Sequence, residues 1–148
     1  MKSDISLQVR ATISTTVSEL WEALTRPELI KQYFFGTNTI TDWKPGHPII
    51  FKGEWQGQTY EDKGTILEVV ENKRIRYSYW SSMSGIEDKP ENYVLITYDL
   101  EPNAGTVALT VTQQNIPDQK AKDHSEENWK KVLQGLKEML EKRNELTI

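Results

Sequence analysis

The residue types able to do covalent or metal chemistry are few in this chain and poorly spaced for it. Cysteine is absent, which excludes disulfides, thiolate nucleophiles and cysteine-ligated zinc or iron–sulfur centres. The two histidines, His47 and His124, are far apart in sequence and form no His-x-x-x-His pair, so no metal site and no cofactor is expected. Glu54, Glu61, Asp62 and Glu68 fall on or near neighbouring β-rich runs, where paired carboxylates can serve as acid and base. A solvated face or edge protection is the commoner use of such charges. Arg76 would meet an acidic ligand group only if its strand face turned inward. No phosphate-cradling glycine loop, Gly-x-Ser-x-Gly elbow or dinucleotide fingerprint occurs, and no catalytic residue is assigned.

The remaining chemistry is aromatic. Five Trp, six Tyr and three Phe stand in a chain of mean hydropathy −0.64, so its apolar surface is concentrated in large rings. Such rings build cores and also line pockets, where a phenol or indole offers one polar tip to a ligand. Phe51, Tyr77, Tyr79, Trp80 and Tyr98 are the candidate wall residues on the β-rich part, with Trp129, Leu133 and Leu136 opposite them on a helix. Cross-strand ring packing is the alternative for the first group, and plain core packing for the second.

The elements that must position these side chains are read from periodicity. Ile5, Leu7, Val9, Ala11 and Ile13 alternate with polar residues, the mark of a strand with one buried face. Thr16 and Glu19 form a capping box ahead of a short helix carrying Val17, Leu20, Trp21 and Leu24. Pro27 ends that helix and opens a second, with Leu29, Ile30, Tyr33 and Phe34 on its apolar side and Gly36 as its stop. Short β-rich runs follow near 38–43, 48–54, 59–70, 74–80, 92–100 and 106–113, separated by turn residues or, over 81–91, by a longer loop. After a linker at Asn115–Asp118, a long helix capped by Asp123 or Ser125 presents Trp129, Val132, Leu133, Leu136 and Leu140 as one stripe. Gly135 inside it costs about 1 kcal/mol relative to alanine, which points to close approach of another backbone or of something bound.

This order predicts an α+β fold: an antiparallel sheet of six or seven strands curved around a long C-terminal helix, with two short helices after the first strand. The strings LWEALTRPELIKQYF, DWKPG, GTILEVVENKRIRYSYW, LEPNAGTVALTVTQQNIPD and HSEENWKKVLQGLKEML occur in an order that resembles the activator-of-heat-shock-ATPase homologue branch of the START-like (SRPBCC) superfamily. The resemblance runs over essentially all of residues 1–148 and implies the helix-grip fold with an apolar cavity between sheet and helix. It also implies a small, largely apolar ligand of lipid, polyketide or aromatic type. Two departures are Gln113, where many relatives have histidine, and Asn128, where many have glycine before the tryptophan. The alternatives are a co-chaperone-like regulator of a heat-shock ATPase and a cyclase or aromatase using the same cavity. A chaperone partner is disfavoured, because the co-chaperones that give the branch its name carry a further N-terminal domain for which 148 residues leave no room.

Length and charge are consistent with one such domain. With 18 basic and 22 acidic residues the formal charge is −4, which argues against affinity built on neutralising phosphates, so no nucleic-acid partner is expected. The alternating N-terminus lacks a signal-peptide pattern, and no run has membrane-spanning length. With no cysteine and no Asn-x-Ser/Thr sequon, a cytoplasmic setting is expected.

Overall fold

The computed structural model describes residues 3–146. Strand β1 (Ile5–Ile13) leads into helices α1 (Val17–Thr25) and α2 (Pro27–Tyr33). Strands β2 (Asn38–Ile40), β3 (Pro48–Trp55), β4 (Gln58–Val70), β5 (Arg74–Tyr79), β6 (Val94–Asn103) and β7 (Thr106–Ile116) follow, and helix α3 (Gln119–Leu146) closes the order. The seven strands form one antiparallel sheet in the order β1-β7-β6-β5-β4-β3-β2. Only β1 is out of sequence, and it pairs with β7 from Ile5 opposite Ile116 to Ile13 opposite Val107.

Local chemistry explains the starts and stops. The Thr16 hydroxyl accepts the Glu19 amide at 3.1 Å, satisfying one of the free N–H groups of α1. Arg26, held extended before Pro27, is at once the end of α1 and the cap of α2. β2 is shorter than the expected 38–43, because Trp43 turns to a positive φ of 60° and its indole N–H donates to the Thr25 carbonyl at 2.9 Å. That bond ties the β2–β3 connection to the end of α1.

Two boundaries differ from expectation at the other end. β7 runs on to Ile116, where pairing with Ile5 buries it completely, and the linker shrinks to Pro117 and Asp118. Asp118 then caps α3 by accepting the Ala121 amide at 2.8 Å, so Asp123 and Ser125 lie inside the helix instead of at its start. The expected stripe is buried as a unit: Trp129, Val132, Leu133, Leu136 and Leu140 all face the sheet and the short helices. Gly135 lies 3.5 Å, measured from a Cβ built on it, from Tyr33 Cβ, and 3.8 Å from Tyr33 Cα. The close approach inferred from this glycine is therefore made by the backbone of α2.

Candidate functional site

Five rings from five elements close into a cycle on the inner face of the sheet. Phe34, just past α2, stacks on Phe51 of β3 at 6.3 Å between centroids. Phe51 meets Tyr77 of β5 at 5.9 Å, and Tyr77 meets Tyr98 of β6 edge-on at 5.7 Å. Tyr98 meets Trp129 of α3 at 5.9 Å, and Trp129 returns to Phe34 at 6.0 Å. Edge-to-face and offset contacts of this length are each worth about 0.5–1.5 kcal/mol beyond area burial. Antiparallel registry builds the sheet side of the cycle, since Tyr77 pairs with Ile96 and Tyr98 with Ile75, which sets the two phenols diagonally across β5 and β6.

Beside the cycle, between the sheet and the two short helices, lies a cavity of about 20 Å³, walled by Phe34, Thr39, Phe51, Tyr77 and Tyr98 among others and by no residue of α3. A space of that size holds about one water. Its polar lining is neutral. The Tyr77 and Tyr98 hydroxyls share one hydrogen bond of 2.7 Å, and the Tyr33 hydroxyl donates to the Ala23 carbonyl at 2.7 Å. Thr39 Oγ1 is fully enclosed without a hydrogen-bond partner. Burial pushes the phenols of Tyr33, Tyr77 and Tyr98 well above the usual tyrosine range, so they remain uncharged donors at physiological pH.

The other expected wall residues are placed around this centre. Tyr79 touches Phe51 at 5.6 Å, but its hydroxyl turns away to the Asp62 carboxylate at 2.6 Å. Asp62, buried, also accepts the Ser82 amide at 2.8 Å and the Ser82 hydroxyl at 3.1 Å, which pins the start of the β5–β6 loop. Trp80 stands apart from the cavity: its indole N–H donates to the Ile86 carbonyl at 3.0 Å, and Lys63 Nζ lies 5.9 Å from the ring centroid. Trp129, Leu133 and Leu136 are buried on α3 and do not line the cavity; Trp129 backs it through its ring contacts with Phe34 and Tyr98.

None of the candidate acid or base groups lines the cavity. Glu54 is exposed, and Glu61 is exposed and pairs with Lys52 at 3.3 Å. Glu68 lies 3.9 Å from Arg74. His47 meets Asp42 at 2.6 Å in an exposed turn, and His124 meets Asn128 at 3.2 Å on the exposed side of α3. Among the described residues no group of three or more His, Cys, Asp or Glu is placed to hold a metal ion.

Three contributors escaped the sequence reading of the site. Phe34 was visible only as an apolar helix residue, and Thr39 as one member of a short β-run. Gln113 is the third: buried on β7, it accepts the Trp129 indole N–H at 2.8 Å and donates to Ser125 Oγ at 3.3 Å. Its position within an otherwise apolar alternation was one signal, and its standing where the resemblance leads one to expect histidine was another.

A seven-stranded antiparallel sheet holding a long C-terminal helix, with two short helices after β1 and rings between, defines a helix-grip domain of the START-like (SRPBCC) class. The chain belongs to the family described as activator of Hsp90 ATPase homolog 1-like protein, whose profile matches residues 14–141. A protein of Cytophaga hutchinsonii, known from a solution structure, is 42% identical over 100% of both chains, with a TM-score of 0.82. A crystal structure from Mesorhizobium loti is 22% identical over 93% of this chain and 98% of that one, with a TM-score of 0.77. The solution structure of the Aha1 dimer from Colwellia psychrerythraea is 18% identical over 93% and 96%, with a TM-score of 0.73. The last two establish likeness of fold alone. No curated protein sequence matches the chain. Among the described residues no helix is long and apolar enough to cross a membrane.

Proposed function

We propose that the protein binds a small, largely apolar, ring-containing molecule inside the grip, between the sheet and α3. The observation that carries this reading is the closed cycle of Phe34, Phe51, Tyr77, Tyr98 and Trp129, of which all but Trp129 wall a cavity with neutral polar tips. A cavity of about 20 Å³ is far smaller than the ~300–1,000 Å³ of drug-sized sites, so binding includes displacement of part of the wall. Phe34 is the part best suited to move. It is half-buried, lies beyond the last turn of α2, and is followed by two residues of positive φ, Phe35 at 55° and Gly36 at 73°. A guest ring taking its place would keep the stacked contact with Phe51 and the edge contact with Trp129. The reading sets the protein in the cytoplasm with a small-molecule partner.

The test is titration with 8-anilinonaphthalene-1-sulfonate and with a panel of flavonoids, polyketides and fatty acids, followed by tryptophan fluorescence and native mass spectrometry. One-to-one binding that perturbs Trp129 emission, and is lost in Trp129→Phe emission spectra, is the expected result. Absence of saturable binding across the panel would overturn the reading and leave the ring cycle as core packing.

A further inference from the structure

We propose that the cavity is a seat for one uncharged oxygen, and that the bound molecule is an aromatic compound bearing a neutral hydroxyl or carbonyl rather than a carboxylate; this rests on the ligand-binding reading above. The argument is an inventory of donors and acceptors. Tyr77 and Tyr98 bring two hydroxyl hydrogens and share one bond of 2.7 Å, so one phenolic hydrogen is left over whichever donates. Thr39 lines the same cavity and is 4% exposed, and its buried Oγ1 has no hydrogen-bond partner. Leaving a buried donor or acceptor unpaired costs about 1–3 kcal/mol, so a group that satisfies both hydroxyls at once is favoured there.

An oxygen meets that requirement in either of two forms. A guest hydroxyl accepts from the spare phenol hydrogen and donates to Thr39, and a guest carbonyl accepts from both. A carboxylate would bring a charge into a site whose lining contains no Lys, Arg or His, and it would go unpaired. The Tyr33 hydroxyl is no competitor, being engaged by the Ala23 carbonyl. The rings that wall the cavity supply the apolar half of the recognition and the seat fixes the orientation, with the oxygen toward β2, β5 and β6 and the ring toward Phe34 and Phe51.

The test compares 2-naphthol, 2-methylnaphthalene and 2-naphthoate, near-equal in shape, by titration at neutral pH into the wild-type protein, Thr39→Val and the double variant Tyr77→Phe/Tyr98→Phe, which removes every hydrogen of the hydroxyl pair. In the wild type 2-naphthol is expected to bind at least tenfold more tightly than 2-methylnaphthalene, with 2-naphthoate the weakest. Each variant removes one of the two partners, so each should lower naphthol affinity severalfold toward that of the methyl compound while leaving the latter unchanged. Thr39→Val removes an unpaired hydroxyl, so its melting temperature should be held or raised, which separates loss of the seat from loss of the fold. If naphthol and methylnaphthalene bind alike in all three proteins, the seat is refuted and the ligand-binding reading stands. Tightest binding of naphthoate likewise refutes the neutral seat. Saturable binding of none of the three overturns both.

Discussion

Gln113 accepts the indole N–H of Trp129 at 2.8 Å across the interior, a buried polar bond that fixes where α3 sits against β7. Its amide then donates to Ser125 Oγ at 3.3 Å, one turn earlier on the same helix. The glutamine thus serves as a strut: it sets the rotation of α3 and with it the edge that Trp129 presents to Phe34 and Tyr98. Gln113→Leu keeps the volume and strands the indole donor. Urea unfolding should register a loss of about 1–3 kcal/mol, with a shifted Trp129 emission. A change below about 0.5 kcal/mol would show that the indole finds solvent or another acceptor.

Gly135 gives the opposite sign. A Cβ there would meet Tyr33 Cβ at 3.5 Å, ordinary van der Waals contact, and the position carries no positive φ. Gly135→Ala should therefore gain most of the helix-propensity difference, about 0.5–1 kcal/mol, in the same unfolding measurement. Destabilisation would mean that α2 and α3 approach more closely in solution.

These two residues mark how far the sequence could be read. The alternation of β1, the Thr16/Glu19 box, the Pro27 boundary and the α3 stripe are local signals, and each produced its element because the pattern and the buried face agree. The start of α3 was misplaced because Asp118, Asp123 and Ser125 are all acceptable caps, and only the pairing of Ile116 with Ile5 selects the first. The site was harder still. Whether Phe51, Tyr77 and Tyr98 meet depends on the register of strands far apart in the chain, which no local period encodes. Tyr77 and Tyr79 share a strand face and Trp80 follows on the other, so alternation itself argues against the expected place of Trp80 in the wall, and the cavity lining lacks it.

Gly64 is where two strands come too close for any side chain. A Cβ on this residue would lie 1.6 Å from the Ser78 carbonyl oxygen, a backbone atom that cannot swing aside. Gly64→Ala must separate β4 from β5 next to the irregular pairing between Ile66 and Glu68. The cost should exceed the about 1–3 kcal/mol of ordinary overpacking. A variant that expresses in soluble form and melts within a few degrees of wild type would contradict the close approach.

Glu141 fastens α3 to the end of β1. Its carboxylate accepts from Lys137 Nζ at 2.7 Å and from the Ser14 amide at 2.9 Å, and Lys137 also donates to the Thr12 carbonyl at 2.7 Å. These donors, Lys137 first and the Ser14 amide next, hold the carboxyl below the ordinary value of 4.5. A lowered native pKa makes its contribution full above that ordinary value and removes it as pH falls through the native one. Glu141→Gln should lower the neutral plateau of a melting-temperature profile slightly, as expected of a partly exposed pair, and converge with wild type below about pH 4.5, so that the acid limb flattens by the same amount. An unchanged acid limb would show that other carboxylates govern it.

The buried phenols set the alkaline limit. Tyr33, Tyr77 and Tyr98 are raised above the ordinary 10.0 chiefly by loss of solvent. The native state therefore keeps their protons after the unfolded chain has begun to release them. Stability from these groups is complete below about pH 10 and is lost as pH rises from there toward the higher native values. Phenolate absorbance should accordingly rise in two stages, the accessible tyrosines first and the buried set later, in step with the loss of far-ultraviolet ellipticity. Tyr98→Phe removes one member of the hydroxyl pair and leaves Tyr77 without its buried partner, so this variant should be less stable by about 1–3 kcal/mol at neutral pH and release one phenolic proton fewer in the late stage. Smooth titration of all six tyrosines before any loss of ellipticity would mean that the ring cycle admits hydroxide, and hence solvent, without unfolding.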